Sequence, residues 1–403
     1  MTHDELLDRW PEAERILDAL LDLPEEERRR RARAACGDDR RLWAVVERLL
    51  AVATDEGDLL GLPDDLLDEP ADREVPTEVG PYRLLDEIGR GGMSRVFRAV
   101  REGSAVPQPV ALKLLDRRTT PGALRRFDRE RDTLARLVHP HIARLIDGGV
   151  AADGTPYLVM DLVEGQAIDT HCDNRALGVL DRLRLFRQVL VAVEFAHAQL
   201  IVHRDIKPAN VFVDTYGSVK LLDFGIAKWL DDAADASLTQ AQQRVLTPAH
   251  AAPEQFRGEP ITAATDVYQL GLLLYHLLTG RPAHVVAGAT HDAIAHAVLE
   301  TDPSPPSQAV RPAAADHVEA GDRTRAASLR GATTIQALSR GLSGDLDAIL
   351  LKALRKSPRD RYASVEAFRR DLDDFLGSRP VSARRGTLLY ACLLYTFPSP
   401  RDS

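Results

Sequence analysis

VHRDIKPANVFV, residues 202–213, is followed by KLLDFGIAK, residues 220–228, and the reading of these two runs decides the fold. They carry Arg204, Asp205, Lys207, Asn210 and Asp223 among apolar, strand-prone residues. Taken alone, the triplet His203-Arg204-Asp205 means little, and Asp223 can be read as a turn former two residues before Gly225. Their meaning depends on what the rest of the chain supplies, and in what order.

Upstream, IGRGGMSRVFRAV, residues 88–100, approaches a phosphate-cradling G-x-G-x-x-G pattern and departs from it at Ser94. Glycine-rich turns also serve plain hairpins and Rossmann crossovers. A dinucleotide fingerprint passes from strand into helix, whereas here Val96, Phe97, Ala99 and Val100 continue as a β-prone run, which predicts a hairpin. PVALKLLD, residues 109–116, gives the next strand and sets Lys113 among apolar neighbours. A buried ammonium needs a carboxylate partner, unless the side chain snorkels from a strand edge.

Composition bounds the possibilities. At 403 residues with 44% hydrophobic and 28% charged content, the chain can build two or three soluble domains with a sizeable core. A net charge of −9 argues against a general nucleic-acid binder. Cys36, Cys172 and Cys392 are scattered, without metal-ligand spacing, and fit a reducing compartment without disulfides. The acidic start MTHDELLDRW is no secretory signal, and no stretch reaches the roughly 20 apolar residues of a membrane span.

Along the chain, residues 1–54 show helical spacing at Ile16, Leu17, Leu20 and Leu21 and again at Leu42, Val45, Val46, Leu49 and Leu50. EEERRRRAR, 25–33, reads as a solvated helix face paired at i,i+4 rather than a basic recognition helix. Residues 55–80 are acidic and rich in Pro and Gly, the composition of a linker. Beyond the strands, helical patterns run over 123–138, 178–199 and 266–280, and an amphipathic pair, 345–356 and 364–376, closes the region. The stretch 301–341 is low in pattern and predicts a long exposed loop.

HRD-x-K-P-x-N, DFG, the A-P-E of residues 252–254 and the glycine-rich hairpin fall in one order along one chain, and rarely coincide by chance. Together they resemble the bacterial eukaryotic-like (Hanks-type) serine/threonine protein kinases, from about Pro81 to about Leu376. The resemblance implies an α+β, two-lobed fold: a β-rich N-lobe, a helical C-lobe, and a small helical segment before them. The expected organisation is helical segment 1–54, linker 55–80, kinase domain 81–376 and the start of a further linker at 377–391.

The resemblance also assigns roles. Asp205 receives or orients the acceptor hydroxyl's proton, and Lys207 neutralises the γ-phosphate as it transfers. Lys113 contacts the α and β phosphates of ATP and pairs with Glu130, preferred over Asp128 and Asp132 because Phe127 and Leu134 then form its packing face. Asn210 and Asp223 offer hard oxygens to magnesium, with manganese an accepted substitute. Ile88, Gly89, Arg90, Gly91, Gly92, Met93 and Ser94 cover the phosphates; Val96, Ala111, Met160, Asp161, Val163 and Phe212 surround the base. If position 94 needs positive φ, serine there costs about 1 kcal/mol and weakens nucleotide binding several-fold. His250 stands where relatives commonly have tyrosine, which leaves acceptor preference open.

Protein substrates bearing Ser or Thr follow from Lys207 and Thr247. Arg204 is placed to pair a phosphate on the activation segment, so autophosphorylation at Ser237, Thr239 or Thr247 is expected, in trans within a homodimer. Glu254 should pair with Arg361, and Asp266 should anchor the catalytic loop. The rival readings are a pseudokinase scaffold holding nucleotide weakly, and a small-molecule phosphotransferase, which would have little need for the A-P-E segment. CLLYTFPSPRDS, residues 392–403, looks like a translated transposase-type library adapter, so the natural chain is expected to continue beyond Ala391. Resembling kinases with a similar N-terminus and an RPVSARRGT exit often continue into a membrane span and tetratricopeptide repeats. This implies a cytoplasmic kinase domain and an inner-membrane anchor outside the present residues.

Overall fold

A computed structural model of the chain describes residues 25–37, 39, 42, 43, 46, 76–91, 94–103, 108–115, 127, 131–224, 250–284, 291–311 and 327–384. The chain divides into two compact units, Met1–Pro76 and Thr77–Ser403. In the first, helix α1 (Glu25–Cys36) contains the glutamate–arginine run, with Arg30, Arg31 and Arg33 exposed and Ala32 and Cys36 buried, along with Leu42 and Val46. Arg33 lies over the Trp43 ring, 5.0 Å from its centroid. Most of the expected linker and the whole adapter-like tail lie outside the described residues.

In the second unit, alternation builds a sheet with two different faces. Strands β1 (Glu78–Val79), β2 (Tyr82–Gly91), β3 (Ser94–Arg101), β4 (Pro109–Leu115), β5 (Leu145–Val150) and β6 (Pro156–Asp161) pair antiparallel in the order β1-β2-β3-β4-β6-β5. Phe97, Ala99, Val110, Leu112, Leu114, Tyr157 and Val159 share one face and form one core cluster. Neighbours in sequence point to the opposite face, where Leu115 and Leu158 pack with Phe127, against partly buried Met160. Leu134, from the helical stretch 131–134, is buried in the larger core below.

The second lobe is helical because its apolar positions recur at helical spacing. Strand β7 (Gly165–Ala167) leads into α2 (Ile168–Asn174) and the long α3 (Val179–Ala198); β8 (Val211–Asp214) and β9 (Val219–Leu221) join β7 in a small sheet. There follow α4 (Pro253–Phe256), α5 (Ala263–Thr279), α6 (His291–Glu300), α7 (Pro306–Ala309), α8 (Ile335–Leu342), α9 (Asp345–Ala353) and α10 (Val365–Leu376). Helix α5 is buried almost all round, as a helix apolar on every side must be. Thr262 caps its start and Gly280, at φ 72°, ends it in the left-handed conformation.

One expectation is corrected. In its described parts, 301–311 and 327–341, the stretch 301–341 is not exposed loop, since they contain α7 and most of α8, and Ser307, Arg330 and Ser339 are buried. Two of its serines are structural donors: Ser307 gives its N–H (2.9 Å) and hydroxyl (2.6 Å) to the Asp347 carboxylate, and Ser339 donates to Ser307 O at 2.7 Å. Polar composition therefore reflects fixed hydrogen bonds rather than solvation. Residues 312–326 lie outside the described residues.

The expected pair between the A-P-E segment and the late arginine is present and buried. Arg361 meets both Glu254 carboxylate oxygens at 2.7 Å, with side-chain exposures of 0% and 2%. Burial raises the Glu254 carboxyl, but hydrogen bonds and charge from Arg361 outweigh it and hold the group below the usual carboxylate range. Removing one partner strands a buried charge. Arg361→Ala should destabilise the protein by about 3–5 kcal/mol in urea titration. Arg370→Ala, which breaks the exposed pair with Glu366, should change stability by no more than about 1 kcal/mol.

Candidate active site

The hairpin answers the question posed by Ser94. Gly91 pairs with Ser94, Arg90 with Arg95 and Gly89 with Val96, so β2 and β3 continue to the tip of the hairpin. Ser94 is the first residue of β3 and pairs with Leu115 of β4. It is absent from the residues with left-handed backbone, so the condition under which serine would be strained is not met. Ile88 and Arg90 are exposed, and Gly92 and Met93 lie outside the described residues.

Register places the expected base-covering residues together. Val96 pairs with Lys113, and Ala111, two residues before Lys113, pairs with Met160, so all four share one face of the sheet. Asp161 accepts from Arg144 N at 3.0 Å, Val163 follows where the chain leaves β6, and Phe212 lies on β8, paired with Ala167. Lys113 Nζ lies 2.9 Å from Asp223 Oδ2, with side-chain exposures of 15% and 28%. This contact joins the upper sheet to the segment before Gly225. Glu130, the partner expected from the sequence, lies outside the described residues, as do Asp128, Ser237, Thr239 and Thr247.

Below, the loop 202–210 converges on Asp205. Lys207 Nζ approaches Asp205 Oδ2 at 2.9 Å, and Asn210 Nδ2 donates to Asp205 O at 2.8 Å and to its Oδ2 at 3.0 Å. With its amide hydrogens engaged on Asp205, Asn210 has Oδ1 left as an acceptor. That oxygen and the Asp223 carboxylate are hard donors suited to magnesium, which keeps waters and phosphate oxygens for its other positions. The residues present therefore fit such an ion. Arg204, at φ 70°, and Asp223, at φ 49°, adopt the left-handed region, each costing about 1–2 kcal/mol that the surrounding bonds must offset.

At Arg204 those bonds come from α5. Asp266, fully buried, accepts from His203 N (2.8 Å) and Arg204 N (2.9 Å), and His197 Nε2 lies 2.7 Å from the same carboxylate. His203 Nε2 lies 2.9 Å from the Leu222 carbonyl, which can only accept, so Nε2 carries the proton and Nδ1 accepts from Asp205 N at 3.3 Å. Burial lowers the pKa of His203, in keeping with the neutral ring, which also packs 4.6 Å from Phe224.

His250 adds no charge here. Burial foremost, then the charges of His276 and Lys207, lower its pKa to about 4 against the opposing pull of Asp205 and Asp169. The ring is neutral at physiological pH. Sequence reasoning missed His197, Gln255 and Gln269; His197 serves the loop only through the distant Asp266, Gln255 lies far along the chain from Arg204, and a glutamine within an apolar helix is the only signal for the third.

The protein kinase domain family matches residues 82–372. A probable serine/threonine-protein kinase PknB of Bifidobacterium longum is 34% identical over 77% of this chain and 42% of that protein. Serine/threonine-protein kinase PknB of Mycobacterium leprae is 34% identical over 75% of this chain and 44% of its own length. The chain thus spans less than half the length of these curated relatives. The Mycobacterium tuberculosis PknI kinase domain is similar in structure, with TM-score 0.51 and 26% identity, covering 74% of this chain and 96% of that one.

Because Ser94 is unstrained, Ser94→Gly should leave nucleotide Kd within about twofold of the parent. A titration with a fluorescent nucleotide checks this; several-fold tighter binding would mean that serine is strained after all.

Proposed function

The chain belongs to the protein kinase family, and we propose that it is a serine/threonine protein kinase transferring the γ-phosphate of ATP to hydroxyls of proteins. The observation that carries this reading is the convergence of Asp205, Lys207 and Asn210 opposite the Lys113–Asp223 pair. Phosphoryl transfer demands little covalent chemistry from a protein and much positioning and charge neutralisation. A carboxylate flanked by an ammonium, facing two hard-oxygen donors, supplies both.

In this reading Asp205 receives the proton of the acceptor hydroxyl as its oxygen bonds to the γ-phosphorus. The bond from that phosphorus to the β,γ-bridging oxygen breaks, and ADP leaves with the bond's electrons. Lys207 balances charge on the moving phosphoryl group, and Lys113 holds the α and β phosphates. Asn210 and Asp223 would hold magnesium, which when bound draws charge from the phosphate oxygens. The sheet face carrying Val96, Ala111 and Met160 covers the base, with Asp161 to Val163 as the hinge and Phe212 on the far wall.

Lys207, as in serine/threonine relatives, favours Ser and Thr as acceptors. Autophosphorylation of the activation segment, read through Arg204, extends this proposal, as do a homodimer for trans transfer and a membrane anchor on the parent protein. Among the described residues no helix is long and apolar enough to cross a membrane.

Incubation of the purified chain with γ-labelled Mg-ATP and a generic protein acceptor should place acid-stable label on serine or threonine. Asp205→Asn should reduce that label by about 10²-fold or more. Full labelling by the variant, or label on tyrosine alone, would overturn the reading.

A further inference from the structure

Two glutamine side chains form a closed set of hydrogen bonds around the peptide groups on either side of Asp205. Gln269, on α5, accepts from Ile206 N through Oε1 at 2.9 Å and donates from Nε2 to Arg204 O at 3.0 Å. It therefore holds the carbonyl before Asp205 and the N–H after it with one planar amide. Gln255, on α4 directly after Glu254, donates from Nε2 to the same Arg204 O at 3.2 Å. Its Oε1 accepts from Gln269 Nε2 at 3.0 Å and from Ala252 N at 2.9 Å. Both lone pairs of Arg204 O and both amide hydrogens of Gln269 are thereby engaged.

Burial makes this set consequential. Gln269 is 1% exposed, on a helix whose neighbouring positions are apolar, and a buried amide is tolerated there because its polar atoms are paired. The segment it grips is under strain, since Arg204 stands at φ 70° immediately before Asp205. Asp266 fixes the N–H groups of His203 and Arg204. Without the glutamines, the Arg204 carbonyl and the Ile206 N–H would lose these side-chain partners, and the peptide planes bracketing Asp205 could rotate.

We propose that Gln269 is a positioning residue for phosphoryl transfer, holding the backbone on both sides of Asp205, and that Gln255 ties this clamp to the A-P-E helix. The inference rests on the reading of Asp205 as the group that receives the hydroxyl proton. Its consequence is specific to turnover. A loosened Asp205 leaves the nucleotide face formed by Val96, Ala111, Lys113 and Met160 untouched, so nucleotide affinity persists while the chemical step slows. Gln255 also gives the activation segment a route to the carboxylate: displacement of α4 removes one of the two amides from Arg204 O.

The test compares steady-state kinetics of the full chain with Gln269→Ala, Gln269→Glu, Gln255→Ala and the double alanine variant, using Mg-ATP and a generic protein acceptor. Gln269→Ala should lower kcat about 10- to 100-fold, with KM for ATP within about twofold. Gln255→Ala should lower kcat less, and the double variant should lose less than the product of the single losses, because the two amides share Arg204 O and bond each other. Gln269→Glu nearly preserves shape, and only its protonated carboxyl can donate to Arg204 O while accepting from Ile206 N. Burial raises that carboxyl's pKa, so this variant's kcat relative to the parent should rise as pH falls through it. A purely structural role would not produce that pH profile.

Unchanged kcat in Gln269→Ala, or losses that simply multiply together with a flat relative pH profile in Gln269→Glu, would overturn the clamp. Should Gln269→Ala fail to fold, the near-isosteric Gln269→Glu profile decides. Asp205→Asn run alongside separates the two claims: an active Asp205→Asn defeats the reading of the base, whereas an inactive one beside a fully active Gln269→Ala defeats the clamp alone.

Discussion

One buried carboxylate holds the lower lobe's working parts in place. Asp266 has no exposed surface, projects from the first turn of a helix buried on nearly every side, and takes the N–H groups of His203 and Arg204. A carboxylate in such a position is costly unless its oxygens are filled by donors, and here the donors are the loop 202–210 itself together with His197. The loop can therefore adopt its strained turn at Arg204, from which Asp205, Lys207 and Asn210 project toward one point. Helix α5 in turn stays buried because Leu270, Leu273, Leu274 and Leu277 are fully packed in the large core, and it is tied outward through the Glu254–Arg361 pair.

The upper sheet meets this base through a single polar contact among those described, Lys113 to Asp223. Lys113 is fixed by β-sheet register, between Val96 on one side and Leu158 on the other. Asp223 is fixed by a left-handed turn after β9. The two groups are thus brought together by backbone constraints on separate lobes. Ser94 and His250, the two departures from the expected pattern, leave this arrangement intact, one by lying in extended strand and the other by being neutral.

The fold and the placement of several candidate site residues were legible because each depends on local signals. Alternation from Val96 to Val100 marked the hairpin, the pattern of 266–280 marked a helix, and Asp205, Asn210 and Asp223 stood within short motifs. Pairings made by chain reversal were less visible. Glu254 with Arg361 and Asp266 with the loop came from resemblance, while Lys113 with Asp223 was not foreseen. Arg182 is fully buried, donating to Leu177 O, Leu277 O and Asp173, and nothing in its amphipathic helix distinguishes it from a solvated arginine. Ser307 and Ser339 read as loop because composition does not reveal that Asp347 receives the donors of the first and Ser307 O the hydroxyl of the second. Gln269 could be noticed only as a polar residue out of place.

If Asp266 is what holds the loop 202–210, amide hydrogen exchange offers the most direct examination. The N–H groups of His203 and Arg204 should exchange among the slowest in the protein, and Asp266→Asn should speed both while amides of β4 and β6 keep their rates. Exchange of these two amides in the parent as fast as in the exposed turn around Tyr216, or no acceleration in the variant, would contradict the account.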